Sequence, residues 1–204
     1  MEKDNTSKTF GYDYITGKTP IIISAPHAVV HKRKGKEKYA EPQTKDIAEL
    51  LNTTLSTHAI IKNNNDTHDA NSEKESYFRQ KIIQIINNQE KYAPIICGLD
   101  IHQCSPAREQ DLIIGTNYGK NIHNNYCLID IINNINNDYN YNIVVDDIFP
   151  ATGQYRVASE VSQKTQTPYI QVEINSGLFF KKERQEKIEK FMIDITQEIL
   201  NKNR

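Results

Sequence analysis

Short runs of β-branched residues alternate along the chain with stretches whose apolar positions recur every three or four residues. Pro20-Ile21-Ile22-Ile23-Ser24 is continuously apolar and too short for a helix, the mark of a strand buried on both faces. Pro42 suits a first helical turn, and Ile47, Leu50, Leu51 and Leu55 follow with the spacing of one helical face. Ala59-Ile60-Ile61 reads as a second strand, and Phe78, Ile82, Ile85 and Ile86 mark the next helix. Residues 94–101 are the longest candidate for a central strand; 111–116, 142–148 and 168–174 are further strands. Residues 122–135 and 157–163 read as helices, and a last helix carries Ile188, Phe191, Met192, Ile195, Ile199 and Leu200 on one stripe. Strands alternating with helices predict an α/β fold, a three-layer αβα domain around a mostly parallel mixed sheet. No repeat or Pro/Gly/Ser-rich linker divides residues 1–204, so one domain is expected.

Composition narrows the partners. The net charge is −1, with 37% hydrophobic and 25% charged residues, an ordinary globular balance without a nucleic-acid or membrane-surface footprint. The one dense basic run, His31-Lys32-Arg33-Lys34-Gly35-Lys36, reads as a solvated loop. Met1-Glu2-Lys3-Asp4-Asn5-Thr6 leads into no apolar signal core, and no apolar run approaches the ~20 residues that span a bilayer. Cys97, Cys104 and Cys127 form no Cys-x-x-Cys pair and are odd in number, as expected of reduced thiols. A cytoplasmic protein acting on a small molecule or peptide is the expectation; the oligomeric state stays open.

In such sheets active sites gather beyond the carboxyl ends of the strands. His27 follows the first strand, Asp100 and His102 finish the central one, and Glu173 sits near the end of a late one. Glu41 opens the helix after the His27 loop. Singly, each has an ordinary explanation: a histidine after a strand is commonly a satisfied polar group, and a glutamate at a helix start is favoured by the helix dipole. As a set they are two imidazoles and a carboxylate with room for water, the donor types of a catalytic zinc site. Asp100 shares a strand face with His102 and could orient a ligating imidazole from behind. Glu173, between Val172 and Ile174, is a carboxylate in an apolar strand and needs a partner or a task; accepting a proton from the attacking water is one. His31, in the basic run, and His58, at a strand start, fall outside this set. His68, beside Asp66 and Asp69, reads as a loop residue. Cys104 has no partner that would make it a nucleophile.

The ordered set Ser24-Ala25-Pro26-His27, Ala40-Glu41-Pro42 with Thr44, and Leu99-Asp100-Ile101-His102 resembles the N-formylglutamate amidohydrolase-like family, which is similar to the zinc carboxypeptidases in fold and metal site. The resemblance continues through Asp69-Ala70-Asn71, Tyr77-Phe78-Arg79, Pro106-Ala107-Arg108-Glu109-Gln110-Asp111 and Gln171-Val172-Glu173-Ile174-Asn175, covering about residues 21–177. It implies a zinc-dependent amidohydrolase with Zn2+ on His27, Glu41 and His102, and Glu173 as general acid/base. It further implies Arg108 as the residue that binds a substrate carboxylate, with Asn71 and Arg156 on the substrate side. Where many relatives carry Gly after the second histidine, this chain has Gln103. The expected reaction is cleavage of an amide in a small acidic substrate such as an N-acyl glutamate. A metallopeptidase acting on γ-glutamyl or other peptide bonds is the near alternative. A non-catalytic metal- or ligand-binding module is the distant one, and it has no use for Glu173.

Overall fold

The computed structural model describes residues 11–64, 66–89 and 94–202. The polar segment Met1 to Thr6 lies outside them. Among the described residues nine strands run β1 (Tyr12–Ile15), β2 (Ile21–Ala25), β3 (His31–Arg33), β4 (Lys36–Lys38), β5 (His58–Lys62), β6 (Cys97–Cys104), β7 (Leu112–Gly115), β8 (Ile143–Val145) and β9 (Tyr169–Asn175). The helices are α1 (Pro42–Leu55), α2 (Tyr77–Gln89), α3 (Cys127–Tyr139), α4 (Val157–Thr165) and α5 (Lys182–Lys202). Seven strands make one sheet in the order β1-β5-β2-β6-β9-β7-β8. Its centre, β5-β2-β6-β9, is parallel, while β1 on β5 and β7 on β9 are antiparallel. This is the mixed, mostly parallel sheet between helical layers that the alternating pattern predicts.

Strand alternation sorts the side chains between two layers. Ile21, Ile23, Leu99, Ile101, Ile170, Val172 and Ile174 pack in one core with Ile47 and Leu51 of α1, Ile131 of α3 and Phe191 of α5. Ile22, Ile60 and Tyr169 face the other way, against Phe78 and Ile82 of α2 and Val157 and Val161 of α4. On that second face the strands turn polar toward their carboxyl ends: Ser24, Asp100, His102, Gln171 and Glu173 are all buried there. Gly98 makes this face fit. A Cβ on it would stand 2.1 Å from the ring of Tyr169, its neighbour in register, so only glycine admits the ring.

Three expectations are corrected, and one strand is added. The basic run is not a loop but the hairpin β3–β4, turned by Lys34 and Gly35, both at positive φ as a tight two-residue hairpin turn requires. The helix expected from residue 122 starts at Cys127, because His123 and Asn124 adopt left-handed backbone that no helix can continue through. Lys120–Ile122 forms only a short 3-10 turn. Strand β6 runs on to Cys104, so His102 lies within it rather than finishing it. Strand β1 escapes the apolar pattern altogether, since Tyr12-Asp13-Tyr14-Ile15 has the mixed polarity of a sheet edge. Among the described residues no helix is long and apolar enough to cross a membrane.

Candidate metal centre

Glu41 is the residue before α1, which starts at Pro42, but its side chain makes no capping hydrogen bond. It turns inward instead. One oxygen lies 3.0 Å from His27 Nδ1, and the other accepts from the Gln103 backbone N–H at 2.9 Å and stands 3.4 Å from His102 Nδ1. The two Nδ1 atoms are themselves 3.0 Å apart. The structure thus brings His27, Glu41 and His102 together from three separate segments.

The far sides of both imidazoles are occupied by carboxylates. His27 Nε2 is 3.0 Å from Asp69 Oδ1, and His102 Nε2 is 3.0 Å from Asp100 Oδ2. A neutral imidazole that donates Nε2–H to its aspartate presents a lone pair at Nδ1. Behind Asp100 the buried Ser24 hydroxyl donates at 2.6 Å, and the Tyr169 hydroxyl lies 3.2 Å from Ser24 Oγ.

Two facing lone pairs beside a carboxylate repel one another unless a cation lies among them. Donors about 2.0–2.1 Å from a common tetrahedral ion stand about 3.3 Å apart, close to the spacings found here. The residues therefore fit a divalent metal held by two Nδ1 atoms and one carboxylate, with each imidazole oriented from behind by an aspartate. The protonation balance says the same. Although burial opposes it, Glu41 and Asp69 hold His27 above its ordinary value, and Asp100 and Glu41 hold His102 well above. Glu41 and Asp69 are lowered despite their own desolvation, by His27 above all. The cluster demands positive charge at the imidazole pair.

Sequence reasoning left His31 out, and the structure corrects this. His31 is buried in β3 and stacks on His27, with ring centroids 4.1 Å apart and planes 8° from parallel. Burial and the neighbouring His27 push it down to about 4, so it stays neutral. A second grouping, His27, His31 and Asp69, is also close enough to consider for an ion. There, however, Arg33 already donates Nε to Asp69 Oδ2, supplying the charge a metal would bring. The alternation of His31 and Arg33 ahead of Lys34-Gly35 was the available signal for this hairpin.

A cavity of about 380 Å³ opens onto the cluster. Its lining includes His27, Glu41 and His102, with Arg33, Asn71, Gln103, Phe149, Arg156 and Glu173 around them. Glu173 is the register neighbour of His102 on β9, and Gln171 Nε2 donates to it at 3.1 Å. Burial is the main reason its carboxyl is pushed up to about 7; Glu41 and Asp100 add to this while the two histidines oppose it. Arg108 is not in the lining. Its guanidinium stacks over the ring of Phe149 at 4.6 Å, so it supports a cavity wall, and the arginines in the lining are Arg33 and Arg156. Asn71 accepts from the Val157 backbone N–H at 2.7 Å and places Nδ2 2.9 Å from His102 Nε2. Arg156 donates to the Asn71 carbonyl at 3.1 Å. Buried Arg79 braces the same loop, donating to the carbonyls of Ala70 and Glu73 while pairing with Glu160 of α4 at 2.5 Å. His68 is exposed and bonds Asp66 in its loop.

No family model and no curated protein matches the chain. Solved structures do. An N-formylglutamate amidohydrolase from Ralstonia eutropha superposes with a TM-score of 0.65 over 95% of this chain and 99% of its own, at 9% identity. A bacteriophage poly-γ-glutamate hydrolase gives 0.60 over 93% of this chain and 90% of its own, at 13% identity. A metallo-carboxypeptidase from Burkholderia cenocepacia gives 0.51 over 91% of this chain and 59% of its own, at 9% identity. The fold of this chain is therefore that of N-formylglutamate amidohydrolase and related zinc-carboxypeptidase-like hydrolases.

Proposed function

We propose that the chain is a zinc-dependent amidohydrolase acting on an acidic substrate, with His27, Glu41 and His102 as metal ligands and Glu173 as general acid/base. One observation carries the reading: two imidazole Nδ1 atoms 3.0 Å apart beside Glu41, each ring backed by its own aspartate. Zinc bound by such a set lowers the pKa of a water ligand and polarises a substrate carbonyl. Glu173, across the strand pair from His102, takes the proton of the attacking water and delivers it to the departing amine. A carboxyl that titrates near neutrality can do both. Asp69 and Asp100 keep the Nε2 protons in place, so that both Nδ1 lone pairs point at one spot. Arg33 and Arg156 give the cavity two guanidinium groups suited to a substrate carboxylate. The likeness to an N-formylglutamate amidohydrolase and a poly-γ-glutamate hydrolase supports an acidic amide as the substrate class.

The test is metal analysis combined with a screen of N-formyl and N-acetyl glutamate and of γ-glutamyl peptides. The reading expects turnover of at least one of these, lost on chelation and restored by about one equivalent of zinc. Turnover that survives complete metal removal contradicts it.

A further inference from the structure

The β3–β4 hairpin carries five cationic residues, Lys32, Arg33, Lys34, Lys36 and Lys38, against one acid, Glu37, in a chain whose net charge is −1. In an antiparallel pair, residues directly opposite share a face. Lys38 lies opposite His31, Lys36 opposite Arg33, and Glu37 opposite Lys32. His31 stacks on His27, and Arg33 reaches Asp69 and lines the cavity, so theirs is the face turned to the site. That face carries three cations, Arg33, Lys36 and Lys38, beside the buried ring of His31. The only acid is on the outer face.

Like charges directly opposite weaken a hairpin, so Arg33 against Lys36 is a poor pairing for stability alone. The ribbon is nevertheless fixed in place. His31 is buried, the Lys32 N–H donates to the Thr67 carbonyl at 2.7 Å, and the Lys34-Gly35 turn sets the register. Among the described residues Lys32, Lys34, Lys36 and Lys38 are exposed and form no ion pair.

We infer that this face of the hairpin is an anion-binding strip continuing the cavity, and that it holds a polycarboxylate peptide chain running out of the cavity mouth. The inference deepens the amidohydrolase reading and rests on it only for where the chain is cut. It selects an acidic oligomer over a single acylated amino acid.

The test measures γ-linked glutamate oligomers of one, three and seven residues against the full chain at low salt. Affinity is read as Kd, or as KM where a probe is cut. The heptamer should bind about tenfold more tightly than the monomer, as two or three exposed ion pairs supply, and raised salt should erase the gain. The double variant Lys36→Gln/Lys38→Gln should bring the heptamer to within about twofold of the monomer. Lys32→Gln removes a charge from the outer face and should leave most of the gain. The inference is overturned if the parent shows no length dependence, if Lys32→Gln loses as much as the double variant, or if an oligonucleotide of equal charge competes as well as the heptamer. A length gain without any amide cleavage would keep the strip and discard the hydrolase. Turnover without a length gain would do the reverse.

Discussion

The two faces of the central strands make a controlled comparison, because they share one backbone. Toward α1, α3 and α5, β6 presents Leu99 and Ile101 and β9 presents Ile170, Val172 and Ile174, all buried in an apolar core. Toward α2 and α4 the same strands present Asp100, His102, Gln171 and Glu173, equally buried. One face gains free energy by leaving water, roughly 1.5–3 kcal/mol per large side chain. The other gives it back, since each buried carboxylate or imidazole is costly unless paired. Chemistry is concentrated on the face that weakens the fold, and the hydrogen bonds through Ser24 and Asp69 offset that cost.

Substitutions on the two faces should therefore separate cleanly. Glu173→Gln should lower turnover by a factor on the order of 10² to 10⁴, the usual contribution of a positioned acid/base group, with zinc content unchanged. Steady-state kinetics and metal analysis on one preparation check this; loss of zinc would move Glu173 into the ligand set. On the opposite face, Leu99→Ala should cost about 3–5 kcal/mol of stability in denaturant unfolding while leaving zinc stoichiometry intact. A small loss there would mean that the apolar face is not the one that holds the sheet.

The pH dependence of stability is the next largest effect. Glu173 has a folded pKa raised to about 7, against an ordinary value of 4.5. Below pH 4.5 it is protonated in both states and costs nothing. Between 4.5 and 7 the unfolded chain releases the proton while the folded chain keeps it, so stability falls as pH rises, by up to about 3 kcal/mol. Chelator-treated Glu173→Gln should thus match the parent near pH 4.5 and melt higher above pH 7. Parallel curves would show that the carboxyl is not strained by burial. The smallest effect is expected from Asp100→Asn, which keeps the shape behind His102 but weakens the acceptor. Zinc affinity should fall by about 10- to 100-fold by competition with a chromophoric chelator. An unchanged affinity would reduce Asp100 to a packing role.

What the sequence made legible follows the same division. The apolar face could be read directly, because Ile21 and Ile23 in a continuous apolar run and the stripe from Ile188 to Leu200 satisfy simple periods. Asp100, His102 and Glu173 could be nominated because they are polar residues in apolar strands, and His27 because it follows one. The hairpin could not be read in this way: it buries only His31 and otherwise offers charged residues, so its strands show no apolar alternation. Glu41 could be located at a helix start, but nothing in its position says that the side chain turns inward to the histidines. Asp69 depends on a loop braced from a distance by Arg79, a tertiary contact without local signal. Arg108 was expected at the substrate from the family resemblance, and the stacking on Phe149 that takes it out of the lining joins two distant segments.

The central claim is that three ligands from three segments bind one ion, and zinc titration of the parent beside His102→Ala tests it most directly. The account predicts tight binding of about one equivalent by the chelator-treated parent, and loss of both that binding and turnover in His102→Ala while the fold persists by circular dichroism. Full-affinity zinc binding by a folded His102→Ala protein would contradict it.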